Sequence, residues 1–402
     1  MADVTETTVE ETPEPAVGTV DPPTGKTVEP TLIEPDLRFK EELAEYGAST
    51  FKKCYQCATC SVVCALSPDD APFPRKEMIW SQWGLKDKLI RDPDIWGCYY
   101  CGDCSEKCPR GADPGELMMS LRRYATAAFD WTGISRRLYT SRAMEIGAVV
   151  AIALLVVVLF AISGAFSPER MITDHVSVET FIPHHLVHYA DWVMAAILTF
   201  FLMTNSLRMV LFILDGQKIP LSVFITEAKT FLINAATQKR WRDCDAAPAK
   251  GRWLKHFIMV TGYGTMFGMV MFFLSSFQVD SSKFTPISII GYYCTFAILY
   301  FSGDSLLGRL RKKEEMHKHS HDSDWMFLIL LFGTALTGIL MHFCRLADLA
   351  MPTYIMYVIH LCFVAPMLII EVPFMKWAHL MYRPLGLYLK AVKEKAKALE
   401  AA

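Results

Sequence analysis

Eight cysteines fall into two runs that repeat one spacing. Cys54, Cys57, Cys60 and Cys64 read C-x2-C-x2-C-x3-C, and Cys98, Cys101, Cys104 and Cys108 read the same, with Pro109 closing the second run. That spacing wraps three thiolates around one face of a cubane 4Fe-4S cluster and sends the fourth to a neighbouring cluster. Two runs therefore close two clusters, one on Cys54, Cys57, Cys60 and Cys108, the other on Cys98, Cys101, Cys104 and Cys64. Zinc knuckles present their ligands two by two across a long gap, and three close cysteines per run suit zinc poorly. Ala65 stands where the second run has its proline, which loosens the motif without removing a ligand. Cys244, Cys294, Cys344 and Cys362 are scattered singly and read as core or loop residues.

Histidines form the second constellation, and their meaning depends on depth in a membrane. Six stretches, near 143–166, 186–213, 256–278, 284–303, 325–347 and 354–376, are apolar over about the 20 residues a helix needs to cross a bilayer core. Lysine and arginine cluster before the first stretch (Arg122, Arg123, Arg136, Arg137, Arg142), between the second and third (Lys239, Arg240, Arg242, Lys250, Arg252, Lys255) and between the fourth and fifth (Arg309, Arg311, Lys312, Lys313). The other loops carry only Arg170 and Lys283. By the positive-inside rule both termini and the cysteine runs face the cytoplasm of an inner membrane, where thiols stay reduced and bind metal rather than pair.

Counted from these anchors, His256 and His379 lie near the inner surface, and His188, His342 and His360 near the outer one. Two layers of imidazole in a helical bundle are how a protein holds two b-type haems. His317, His319 and His321 read as a solvated charged loop, and His175, His184 and His185 as outer-loop residues. Glu371, between Pro366 and Pro373, reads equally as a proton relay or as a partner for backbone freed by those prolines.

The elements that must position these groups follow from composition. The chain has 402 residues, 52% of them hydrophobic, and a net charge of −2, a balance that gives nucleic acid no role. Residues 1–40 are rich in Thr, Glu and Pro and read as a disordered acidic tail. Residues 41–135 make the iron–sulfur domain, 136–390 the membrane domain and 391–402 a charged tail. Met78, Ile79, Trp83, Leu85 and Leu89 recur at helical spacing between the runs, and Asp113 with Pro114 starts a helix after them. The segment from Ile219 to Cys244 alternates apolar and basic residues and reads as a loop along the inner surface or an ordinary solvated one. The fold class is mainly α: a helical two-cluster ferredoxin-like domain followed by a six-helix transmembrane bundle.

FPRKEMIWSQWGLKDKLIRDPDIWGCYYCGDCSEKCPRG resembles the iron–sulfur C subunit of heterodisulfide reductases over about residues 45–130. LKHFIMVTGYGTMFGM and PFMKWAHLMYRPL are similar to the cytochrome b (gamma) subunit of respiratory nitrate reductases, over about 180–390. A chain fusing the two in this order resembles the C subunits of quinone-interacting membrane-bound oxidoreductases of sulfate-reducing microbes. The resemblance implies one or two b haems, menaquinol as donor, flavin and iron–sulfur partners like the A subunit of heterodisulfide reductases, and adenylylsulfate reductase as eventual acceptor. It assigns His256 and His379 to the inner haem and His360 to the outer one. Where the cytochrome pattern has a further histidine this chain has Met266, so the outer partner is His342 first, with His188 or Met266 as alternatives.

No two cysteines are adjacent, unlike the catalytic subunits of heterodisulfide reductases, and no dinucleotide-binding glycine fingerprint follows a strand. The chain therefore reads as an electron relay. A quinone-linked complex of heterodisulfide reductase type is a second reading, and a metal-binding transporter or sensor a third.

Overall fold

Backbone capping sets where the helices of the cysteine domain begin. Asp113 caps Pro114–Phe129, its carboxylate accepting from the Glu116 N–H, and Pro114 occupies the first turn. The helical pattern between the runs breaks into Arg75–Gln82 and Lys86–Ile90. Gly84 makes that break: its φ is +72°, and a Cβ there would lie 2.3 Å from the Asp36 carbonyl oxygen. Trp83, one of the residues at helical spacing, caps the first of these helices and is exposed.

The computed structural model describes residues 34–242, 247–277, 280 and 284–401, and the side chains of all of these except 247–250 and Phe277. Residues 1–33, Cys244 and Lys283 lie outside the described residues, as does the Lys250 side chain. The described residues are mainly helical and contain no strand. Pro35–Ala402 forms one compact unit. Its core around Phe39, Leu43, Met78, Trp96, Leu121 and Phe129 continues into Met209, Ile213, Ile370 and Tyr382, so cysteine-bearing helices and membrane helices share one apolar interior.

Among the described residues, five helices are long and apolar enough to cross a membrane: Arg142–Ile162, His184–Leu214, Gly251–Ser276, Asp322–Leu346 and Ala350–Phe374. The expected sixth, Ile287–Arg311, is 25 residues long and packs between its neighbours, but Tyr292, Tyr293, Tyr300 and Asp304 dilute its apolar run. Leu154, Leu155, Val158 and Leu159 on the first of the five are exposed, as side chains facing lipid are.

Three further expectations are corrected. Phe39, inside the stretch read as tail, is fully buried and opens the helix Phe39–Glu45. Residues 219–244 are no loop in their described part, since Leu221–Thr237 is a helix packed along His379–Ala401. Residues 391–402 are no free tail: the helix runs on to Ala401, Val392 is fully buried, and Lys390 pairs with Asp94 at 2.5 Å.

Candidate functional site

Each cysteine run folds into the same loop. Gln56 and Tyr100, just before the second cysteine, have φ of 67° and 54°, and Ala58 and Gly102, just after it, 69° and 92°. These left-handed residues turn the backbone so that the Gln56 N–H donates to Cys54 Sγ and the Tyr100 N–H to Cys98 Sγ, both at 3.3 Å. One-turn helices, Thr59–Val62 and Asp103–Glu106, then carry the third cysteines, Cys60 and Cys104, both buried. The Ala112 N–H donates to Cys108 Sγ at 3.3 Å.

The thiols influence one another across the runs. Burial pushes the Cys101 thiol up to about 12, with Cys98 and Cys64 adding to the rise. Burial raises Cys104 well above the ordinary thiol range, and Cys98, Cys101 and Cys64 oppose its ionisation further. Cys60 rises to about 11 through burial and then the neighbouring Cys54. Tyr55 feels Cys57 and Cys108. Of the eight thiols in the two runs, Cys57 alone is exposed, and it is held low by hydrogen bonds from Thr59. Thiols crowded and buried in this way ionise readily only beside a cation, which is what a thiolate-bound iron centre provides.

The described histidines divide sharply. His256 and His379 face each other with ring centres 6.3 Å apart and planes at 56°. His379 Nδ1–H donates to the Lys376 carbonyl oxygen at 2.6 Å, and His256 Nδ1 bonds Gln238 Oε1 at 2.8 Å. With both Nδ1 atoms acting as donors, both Nε2 atoms keep their lone pairs.

His360 Nδ1 bonds Thr337 Oγ1 at 3.0 Å, and its ring lines a cavity of about 640 Å³ together with Met266, His342, Asp191 and Trp377. His342 is less available. Its Nδ1 accepts from Arg345 at 3.4 Å, so Nε2 carries the proton and donates to the Tyr292 hydroxyl at 2.9 Å. His188 bonds the Met271 carbonyl and stacks on Trp192.

His317, His319 and His321 are not a solvated loop. His319 Nε2 lies 3.3 Å from Asp113 Oδ2, the Tyr100 hydroxyl donates to the His319 carbonyl, and His321 caps the helix Asp322–Leu346. Gly102 meets Glu315 in the same segment. The segment therefore straps the second cysteine loop to the membrane helices.

Two connections had no signal in the sequence. Arg123, counted there among the topology-setting cations, is buried and bridges Glu116 at 2.8 Å and Asp324 at 3.1 Å, and Asp324 also holds Lys376. Tyr99, inside the second run, stacks on Trp241, which in turn meets His256. Partners 201 residues apart, as Arg123 and Asp324 are, leave no periodicity to read.

A family described as a 4Fe-4S dicluster domain matches residues 50–112. A protein of Archaeoglobus profundus, named as like the C subunit of heterodisulfide reductase, is 36% identical over 91 residues, 22% of this chain and 48% of that protein. The C subunit of the H(2):CoB-CoM heterodisulfide,ferredoxin reductase of Methanothermobacter marburgensis is 33% identical over 94 residues, 23% of this chain and 50% of the relative. The iron–sulfur C subunit of the CoB–CoM heterodisulfide reductase of Methanopyrus kandleri is 33% identical over 101 residues, 23% and 52% respectively. The chain spans about half the length of the curated relatives it matches. No solved structure matches. The segment in common is the cysteine-bearing one, and the likeness supports an iron–sulfur electron-transfer role for this part of the chain.

Proposed function

We propose that the chain is the membrane electron-relay subunit of a quinone-linked complex, taking electrons from menaquinol and delivering them through its two 4Fe-4S clusters to flavin-bearing partners on the cytoplasmic side. Adenylylsulfate reductase is the eventual acceptor in this reading. Cys54, Cys57, Cys60 and Cys108 hold one cluster, and Cys98, Cys101, Cys104 and Cys64 the other.

The imidazole pair carries the membrane half of the proposal. Metal–imidazole bonds of about 2.0–2.1 Å, the values known for zinc, plus roughly 1.1 Å from nitrogen to ring centre, put two opposed imidazoles about 6.3 Å apart. The 6.3 Å between His256 and His379 fits that spacing. A b-type haem bound there supplies one-electron redox capacity at the inner boundary of the bundle. The chain's own contribution is to fix both rings through Gln238 and the Lys376 carbonyl, each by its Nδ1, which leaves each Nε2 as the ligating nitrogen. For an outer haem, His360 keeps a free Nε2, and Met266 lines the same cavity. That cavity lies within the range of cofactor pockets, about 300–1,000 Å³. His342 and His188 are excluded as its ligands in this proposal because their Nε2 atoms are engaged in hydrogen bonds.

A complex of heterodisulfide reductase type is the second reading, favoured by the names of the relatives. Redox titration of the purified chain, followed optically and by EPR, tests both: two cubane signals and b-type bands are expected, and His379→Ala removes one haem signal. A preparation containing neither iron nor porphyrin, made by cells able to assemble both, overturns the relay.

A further inference from the structure

Among the described residues, a chain of aromatic contacts leads from the cysteine domain to the imidazole pair. Tyr99 is covalently next to Cys98 and buried. Its ring stacks on Trp241 with centres 4.9 Å apart and planes at 23°. Trp241 meets the His256 ring at 5.2 Å and 54°. Two ring contacts therefore lead from a cysteine of the second run to the imidazole pair.

The chain is built to hold Trp241 there. Trp241 belongs to the short helix Lys239–Arg242. Gln238 precedes it in a left-handed conformation, ends the helix Leu221–Thr237, and is the residue whose side chain bonds His256 Nδ1. Arg240, beside Trp241, donates to the Leu66 carbonyl just beyond the first run, at 3.2 Å. The guanidinium of Arg383, one turn past His379, lies 4.5 Å from the centre of the Tyr99 ring. The same short stretch, Gln238 to Trp241, thus orients the histidine, supplies the indole and anchors to the cysteine domain.

We propose that Trp241 is the electronic contact between the two parts of the molecule, carrying electrons from the group held by His256 and His379 to the cluster held by Cys98. This rests on the relay reading above. Tunnelling falls off steeply across gaps between atoms, so closely packed π systems conduct better than solvent or open space. Other connections run through saturated side chains: Arg252, one turn before His256, donates to the Cys101 carbonyl at 3.4 Å, and Lys376, Asp324, Arg123 and Glu116 lead to Tyr100 by ion pairs and hydrogen bonds. The step moves one electron: the donor at His256 loses one, the cluster at Cys98 gains one, and no bond or proton changes.

The test uses the full chain with its cofactors in place. Haem bands and cluster EPR lines are recorded first, and the rate of electron passage from haem to cluster is then followed optically after rapid reduction with a quinol. Trp241→Leu is expected to slow that passage at least tenfold, about 1.4 kcal/mol of barrier, with potentials and spectra unchanged. Trp241→Phe, which keeps an aromatic ring in the contact, is expected to restore most of the rate. Should Trp241→Leu disturb the haem bands, Tyr99→Leu interrupts the same contact from the cluster side and is expected to slow passage equally. Normal spectra with an unaltered rate in whichever leucine variant keeps its bands overturn the inference and leave the relay standing. Absence of haem bands from the unaltered chain overturns the relay, and this inference with it.

Discussion

Ala58 and Gly102 occupy equivalent left-handed positions, yet only one of them is glycine. The left-handed region costs an L-residue about 1–2 kcal/mol, and Ala58→Gly should recover up to about 1 kcal/mol of that, seen as a higher midpoint in thermal unfolding. Gly102→Ala should do the reverse. It incurs the same backbone cost, and its Cβ would lie 2.8 Å from the Glu315 Cβ on the strap. A loss of about 2–3 kcal/mol is expected, with broadening of the EPR line from the cluster at Cys98, Cys101, Cys104 and Cys64. Cysteine spacing was fully legible in the sequence because ligand geometry demands those intervals. The left-handed backbone at Gln56, Ala58 and Tyr100 was not, since none of these residue types announces it. His342 and Met266 illustrate the same limit: depth alone ranked the histidine first, and only its hydrogen bonds to Arg345 and Tyr292 show both ring nitrogens engaged. In the proposed relay, His342→Ala should therefore leave every haem band in place, whereas His360→Ala should remove one, both read in reduced-minus-oxidised spectra.

Elements are joined here by charge as much as by apolar packing. Asp324, in the first turn of Asp322–Leu346, is held by Arg123 from the cysteine domain and by Lys376 from the segment before His379. Breaking a buried pair by removing one partner typically costs about 3–5 kcal/mol, because the remaining charge stays buried without compensation. Asp324→Asn leaves Lys376 without its partner and Arg123 with Glu116 alone, and unfolding of the cysteine domain at clearly lower temperature is expected, with protease cleavage reporting its release. The final helix makes a parallel case. Lys390 reaches Asp94, Lys393 donates to the Ile213 carbonyl, and Lys395 pairs with Glu227, so the helix ties three regions together. In the sequence this stretch is only a run of lysines and reads as a charged tail, because a charge-rich helix gives no sign of which face is occupied. The expected sixth span differs from the other five for a related reason: Ile287–Arg311 packs with the membrane helices, but its tyrosines and Asp304 dilute its apolar run.

Across the whole molecule the order of the carriers follows from exposure. His256 and His379 lie against the second cysteine run through Tyr99 and Trp241, whereas Cys57 of the first run is open to solvent beside exposed Tyr55 and Val62. In the proposed relay, electrons therefore reach the cluster at Cys98 first and leave through the one at Cys57. The two arms of the chain predict different failures. Cys57→Ser is expected to leave quinol reduction of the haem and of the second cluster intact while abolishing delivery to a flavoprotein partner. Cys101→Ser is expected to leave the haem reducible but to stop both clusters from being reduced by quinol, although dithionite from solution still reduces the first. EPR of samples frozen during quinol reduction separates the two patterns. If Cys57→Ser instead stopped reduction of the second cluster, the order would run the other way, and the strap of Glu315 to His321 would be holding the exit of the wire against the membrane rather than its entrance.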